Sequence, residues 1–223
     1  MTTIDARQQI LAANQTAAAQ LRQRFARAGT LVVNLISSPG SGKTTLLATL
    51  ARRLAERWTM AAIVGDIATE RDADRLRDAG LRAHQIVTGG ACHLDARMLE
   101  RALAVADFGE PDLLFVENVG NLVCPANYDL GEHFKIVLLA VTEGADKPFK
   151  YPGIFSKAEV AVLTKWDLLP HVDFEVDAVC EQIRTLRPTA RIVSLSARDG
   201  TGVDELVCLL NDRVAACKTS SVP

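Results

Sequence analysis

Ser37-Ser38-Pro39-Gly40-Ser41-Gly42-Lys43-Thr44 has the residue types and spacing to hold a triphosphate. It follows the apolar run Leu31 to Ile36 and opens a segment of helical periodicity from Thr45 to Ala51. Strand, glycine-bearing loop, Gly-Lys-Thr and helix is the order of a phosphate-binding P-loop. Backbone N–H groups of such a loop point at the phosphates, and the positive end of the following helix adds to the attraction. Gly40 and Gly42 stand where a positive φ or a close approach to phosphate is required, while Ser37 replaces the first glycine of the pattern. Ser41, Gly42 and Thr45 belong to the same cradle. Lys43 is expected to reach the β- and γ-phosphates, and the Thr44 hydroxyl to bind Mg²⁺.

Two further segments bear on the base. In Thr164-Lys165-Trp166-Asp167 a carboxylate follows a strand and can accept from the N1–H and amine of guanine, groups that adenine does not offer. The motif resembles the N/T-K-x-D signature of GTPases, with Thr164 where Asn is usual. Ser196-Ala197, after the last apolar strand, suits the loop that supports guanine from its other side. A lone T-K-x-D also fits a strand followed by a capped helix; its place behind a P-loop and ahead of Ser196-Ala197 favours guanine.

Glu117-Asn118-Val119-Gly120 closes another strand. An acid there holds Mg²⁺ or its water, and the Gly120 N–H can meet a γ-phosphate. Asn121 follows where Ras-like GTPases carry a catalytic Gln, so slow intrinsic GTP hydrolysis to GDP and phosphate is expected. Asp66 and Asp72 are both candidates to position Mg²⁺ or water; each suits a helix cap or a solvated face equally well. Lys43, Asp66, Asp72 and Glu117 are thus the catalytic candidates.

Cys92-His93 lies between Thr88-Gly89-Gly90-Ala91 and a helical pattern, and Cys124-Pro125 falls just beyond Gly120. Two thiolates and an imidazole suit borderline ions such as Ni²⁺ or Zn²⁺, and a thiol at a helix start has its thiolate favoured. Buried cysteines also act as small hydrophobes, so local sequence leaves metal binding and packing open. Cys180, Cys208 and Cys217 sit in helical patterns and read as packing residues; His84, His133 and His171 are assigned no role.

The elements that must position these groups alternate. A helix over residues 4–28, with Ile4, Ile10, Leu11, Ala12, Leu21 and Phe25, is laid on the domain and stopped by Gly29. Strands are expected at Met60–Val64, Leu81–Val87, Asp112–Val116, Ile136–Val141, Val160–Leu163 and Arg191–Leu195. Helices are expected at Arg71–Ala79 and Asp95–Val105, then near 173–186 and 203–216. That alternation predicts an α/β fold: a P-loop NTPase with a mostly parallel sheet, helices on both faces, and sites beyond the strands' C-terminal ends. The reading divides the chain into an N-terminal helix (1–29), one G domain (30–217) and a flexible tail (218–223). A length of 223 residues suits one such domain. The net charge of -2 gives no electrostatic case for nucleic acid or anionic membrane. No apolar stretch approaches a membrane span, no secretory signal is visible, and five cysteines do not read as a disulfide framework, so a cytoplasmic setting is expected.

Ser37 through Thr44, Gly65-Asp66 through Asp72-Ala73, and Gly90-Ala91-Cys92-His93-Leu94-Asp95 together resemble the HypB family. Glu117-Asn118-Val119-Gly120-Asn121-Leu122-Val123-Cys124-Pro125 and Lys150-Tyr151-Pro152 extend the resemblance, which runs in order over about residues 5–215. These are GTPases that help insert nickel into [NiFe]-hydrogenase. The resemblance implies a homodimer promoted by GTP and a Ni²⁺ or Zn²⁺ site of Cys92, His93 and Cys124 at its interface. Hydrogenase maturation proteins and the hydrogenase large subunit are the implied partners. It also suggests that Lys150 contacts nucleotide across the subunits, where local sequence alone equally fits a solvated basic turn for Lys147 and Lys150. No Cys or His precedes His84, so a nickel store of the kind carried at the N-terminus by some family members is not expected, and metal transfer rests on the G-domain site. The related urease accessory GTPase UreG has a Cys-Pro-His motif that is absent here. A nucleotide-gated scaffold without metal delivery is the alternative from another class; a P-loop kinase would leave T-K-x-D and Ser196-Ala197 without a role.

Overall fold

The computed structural model describes residues 3–67 and 71–220, with the side chains of 8–67 and 71–219. Ala68 and Thr69 of the expected Asp66 segment, and 221–223 of the expected tail, lie outside the described residues.

Seven strands form one sheet: β1 (Leu31–Ser37), β2 (Met60–Asp66), β3 (Arg82–Val87), β4 (Leu113–Glu117), β5 (Phe134–Ala140), β6 (Val160–Thr164) and β7 (Arg191–Ser194). Every pairing is parallel, and the order is β3-β2-β4-β1-β5-β6-β7. Parallel strands need helical crossovers that cover both faces, so β1, β4 and β5 are nearly continuous apolar runs instead of alternating ones. The helices are α1 (Thr3–Ala28), α2 (Lys43–Leu54), α3 (Arg71–Asp78), α4 (Ala96–Val105), the short α5 (Lys147–Lys150) and α6 (Pro152–Phe155), α7 (Val176–Leu186) and α8 (Val203–Ser220).

One face of the sheet packs on α2, α3 and α8 through Leu46, Leu47, Leu50, Leu76, Leu206 and Leu210. The other packs on α1 and α4, through Leu21, Phe25 and Leu99, and further along on α6 and α7. Each fully buried leucine contributes about 1.5–3 kcal/mol relative to exposure. Leu46, Leu47 and Leu50, near the start of α2, therefore hold the helix start, and with it the P-loop, firmly against the sheet.

The expected elements are present with shifted ends. Gly29 stops α1 at a φ of 62°. Ile10, expected on the inner stripe of α1, is 57% exposed, and the polar Asn14 is buried instead. The last helix continues past 216 to Ser220, and Lys218, assigned to the tail, pairs with Asp112. Among the described residues no helix is long and apolar enough to cross a membrane.

Candidate functional site

The P-loop leaves β1 at the centre of the sheet, where β4 and β5 flank it and the chain first runs to β2 on one side before returning to β5 on the other. A crevice opens at such a point outside the strands' C-terminal ends. Gly40 and Gly42 adopt φ values of +77° and +95°, which L side chains rarely adopt. Lys43 is buried and its Nζ donates to Ser37 Oγ at 2.9 Å, so the serine in the first-glycine position holds the lysine across the loop. Burial pulls the Lys43 amine below its usual range, with Glu117 and then Asp72, Glu143 and Asp66 opposing that shift.

The loop is braced by a residue that motif reading missed. Glu143 Oε1 accepts from Ser41 Oγ at 2.6 Å and from the Ala140 N–H at 3.1 Å. Its other oxygen lies 3.0 Å from Lys147 Nζ, and Lys147 also donates to Ser38 Oγ at 3.0 Å. The available signal was positional: an acid just past the end of β5, the neighbour of the P-loop strand. Lys150, by contrast, is exposed and pairs with Asp146 at 3.0 Å within the same chain.

Pro39, Gly40 and Lys43 to Thr45 line a cleft of about 400 Å³ together with Asp66, Asp72, Arg75 and Glu117 to Gly120. Glu117 is 4% exposed, and its Oε1 accepts from Thr44 Oγ1 at 2.8 Å while Oε2 has no hydrogen-bond partner among the described residues. Burial pushes its carboxyl up to about 7, against the pull of the Lys43 ammonium and the Thr44 hydroxyl. A buried carboxylate oxygen without a donor is costly in the absence of a cation. Thr44 and Glu117 fit a Mg²⁺ site, with Asp66 and Asp72 at the same cleft; Arg75 lies 3.5 Å from Asp72. Gly120 has no room for a side chain, since a Cβ would sit 2.9 Å from Pro39 Cγ. Its backbone is thus already against the phosphate loop.

The residues expected to read the base flank the loop on the β6–β7 side. Thr164 Oγ1 donates to the Ser41 carbonyl at 2.7 Å, so this threonine ties β6 to the P-loop. Lys165 takes a φ of 56°, turning the chain into the 3₁₀ segment Trp166–His171 that carries Asp167. The Trp166 N–H donates to Leu195 O at 3.2 Å, joining this segment to the loop of Ser196 and Ala197. Ser196 is fully buried, and Ala197 O accepts from Thr49 Oγ1 of α2 at 3.1 Å.

Cys92, His93 and Cys124 come together, with candidate ligand atoms within 4.8 Å of one another. The Cys92 thiol donates to Cys124 Sγ at 2.9 Å, and His93 Nδ1 is 3.7 Å from Cys92 Sγ. That hydrogen bond, then burial, raises the Cys92 thiol above its usual range, and burial lowers the His93 imidazole. His93 stacks on Tyr128 with ring centroids 3.8 Å apart. Asp95 caps α4 by accepting from the Met98 N–H at 2.7 Å, which fixes the loop just after His93. Three half-buried ligands, with no fourth grouped with them among the described residues, suit an exchangeable metal position better than a closed structural one. Among the remaining cysteines, Cys180 and Cys217 pack against the core, but Cys208, read as a packing residue, is exposed because it faces out from α8.

Known proteins carry the same organisation. The family model for the CobW/HypB/UreG nucleotide-binding domain matches residues 31–194. The chain is 50% identical over 198 residues to the hydrogenase maturation factor HypB of Azotobacter vinelandii, covering 89% of this chain and 65% of that protein. It is 44% identical to the hydrogenase/urease maturation factor HypB of Helicobacter pylori strain J99, covering 89% of this chain and 83% of that protein. A crystal structure of HypB from Helicobacter pylori in complex with nickel superposes with a TM-score of 0.87 at 41% identity, over 92% of this chain and 96% of that one. HypB from Archaeoglobus fulgidus gives 0.85 at 35% identity, over 91% and 99%. The chain belongs to the CobW/HypB/UreG family and, within it, to the HypB proteins.

Proposed function

We propose that the chain is a metal-binding GTPase that delivers nickel during [NiFe]-hydrogenase maturation. In this reading GTP with Mg²⁺ occupies the cleft, and Asp167 with Ser196 and Ala197 selects guanine. Mg²⁺ is held by Thr44 and Glu117, with Asp66 and Asp72 serving it directly or through water. Lys43 and the Gly120 N–H meet the γ-phosphate. Hydrolysis to GDP is slow, because Asn121 stands where a water-positioning Gln would be. The GTP state joins two subunits, with Lys150 released from Asp146 to reach the partner's nucleotide. Cys92, His93 and Cys124 hold Ni²⁺, or Zn²⁺ on the same ligands, and two such clusters facing across a two-fold axis form the transfer site.

One observation carries this reading. The segment running from Glu117 past Gly120 ends at Cys124, whose thiol meets Cys92, so one stretch of chain touches both the phosphate cleft and the metal ligands. Support also comes from the relatives, named hydrogenase maturation factors, and from the nickel-bound Helicobacter pylori structure. The chain spans about 65% of the length of the Azotobacter vinelandii relative, so activity, cargo and hydrogenase partners are part of the proposal.

A single variant tests base and coupling together. Asp167→Asn replaces an acceptor by a donor, which complements the C2 carbonyl of xanthine instead of the amine of guanine. GTP affinity should fall by about a hundredfold, the cost of losing two hydrogen bonds to a charged group. Dimers with altered nickel affinity should then form with a non-hydrolysable xanthosine triphosphate analogue and no longer with the GTP analogue. A variant that responds to the GTP analogue as the parent does would overturn the guanine assignment.

A further inference from the structure

Two asparagines bracket Gly120, and both reach back to the loop that carries Cys92 and His93. Asn118 is 1% exposed; its Oδ1 accepts the Leu94 and Val119 N–H groups, each at 3.1 Å, and its Nδ2 donates to Asn34 Oδ1 at 3.3 Å. Asn121 Nδ2 donates to the Cys92 carbonyl at 3.1 Å, and its Oδ1 accepts the Val123 N–H at 2.8 Å. One carboxamide therefore holds the residue after His93. The other holds Cys92 itself and the residue before Cys124.

The side chain between them is wedged. Leu94 is fully buried, and a Cβ on Gly65 would lie 2.8 Å from its Cγ. The metal-bearing loop thus rests on the end of β2, next to Asp66, and is gripped from the Gly120 segment on its other side. Packed elements of this kind shift between discrete arrangements and do not deform continuously. A displacement of Gly120 must carry Asn121 with it, and then either the Cys92 carbonyl follows or the bond breaks.

Both ends of the Asn121 carboxamide are occupied by backbone groups of the two ligand-bearing loops. Its orientation is therefore set by these two backbone groups, although it occupies the position of a catalytic Gln. We propose that Asn121, with Asn118 as its buried counterpart, is a positioning residue that couples the γ-phosphate side of the cleft to the spacing of the Cys92 and Cys124 thiols. This rests on the nickel-GTPase reading above and adds the residue through which nucleotide and metal communicate.

The test is nickel affinity, measured by competition with a chromophoric chelator, on full chains loaded with GDP or with a non-hydrolysable GTP analogue. In the parent the two affinities should differ by about tenfold, an ordinary coupling between sites. Asn121→Ala should bring the ratio to within about twofold while nickel binding stays stoichiometric and GDP affinity is retained. Asn121→Asp keeps an acceptor for Val123 and removes the donor to Cys92; it should lose the ratio as well. The nickel–thiolate absorption band should shift between nucleotide states in the parent and in neither variant. Variants that keep the parent's ratio and band shift would overturn the proposal and leave the nickel-GTPase reading intact. A parent whose nickel affinity ignores the nucleotide would overturn both.

Discussion

Lys43→Ala is expected to abolish measurable triphosphate turnover while leaving the domain folded. The ammonium sits at the mouth of α2, buried, and donates to the Ser37 hydroxyl. Cations preorganised in a dry site stabilise charge that develops on a transferring phosphoryl group, and removing one such donor costs on the order of a hundredfold to a thousandfold in rate. Structural losses should be small. Ser37 Oγ keeps its bond to the Ser38 carbonyl at 2.7 Å, and alanine suits the first turn of a helix. The Glu117 carboxyl, already up to about 7, loses its foremost opposing charge, so it should titrate higher still in the variant without Mg²⁺. Phosphate release in single turnover, with thermal unfolding alongside, checks both halves. A variant that hydrolyses GTP at the parent's rate would contradict the role given to Lys43.

The second large effect belongs to the thiols. The Cys92→Ala, Cys124→Ala double variant should lose stoichiometric Ni²⁺ and Zn²⁺ binding and still bind GTP. His93 then remains alone against Tyr128, and one imidazole is too few ligands for either ion. The pH dependence follows from which ligands must lose protons. Burial holds the His93 imidazole below its usual range, so it is already neutral near pH 7 and contributes little there. The thiols do contribute, because their hydrogen bond and burial favour the protonated Cys92. Metal must displace those protons, so affinity should fall as pH drops below the thiol range, by up to about a hundredfold per unit if both protons leave. Metal analysis after dialysis at several pH values measures this. Undiminished metal in the double variant would remove the site.

Much of this arrangement was legible in the residues. The P-loop, Glu117 and the Cys92, His93 and Cys124 cluster depend on local patterns that a strand end and a glycine punctuate, and such patterns survive in sequence. Less legible were groups whose function is set by tertiary neighbours. Glu143 carries no motif, yet it holds Ser41 and Lys147 because β5 ends beside the P-loop. Asn14 looks like a surface position of an amphipathic helix, yet it is buried because its Nδ2 donates to Asp129 O at 2.8 Å and its Oδ1 accepts the Ala96 N–H at 2.8 Å. The same contacts leave Ile10 outside, although Leu21 and Phe25 of the same apolar pattern are buried. Thr164 stands in the base-recognition motif, and its hydroxyl also donates to the Ser41 carbonyl, a partner more than a hundred residues away that spacing does not reveal.

Nucleotide state and metal geometry are proposed to form one equilibrium, read out through a dimer that the GTP state would join. Sedimentation of a single nickel-containing sample, first with GDP and then with a non-hydrolysable GTP analogue, tests it most directly. The expected result is a monomer with GDP and a nickel-bearing dimer with the analogue, with nickel affinity differing by about tenfold between the two. One sedimentation coefficient and one nickel affinity in both states would contradict the claim.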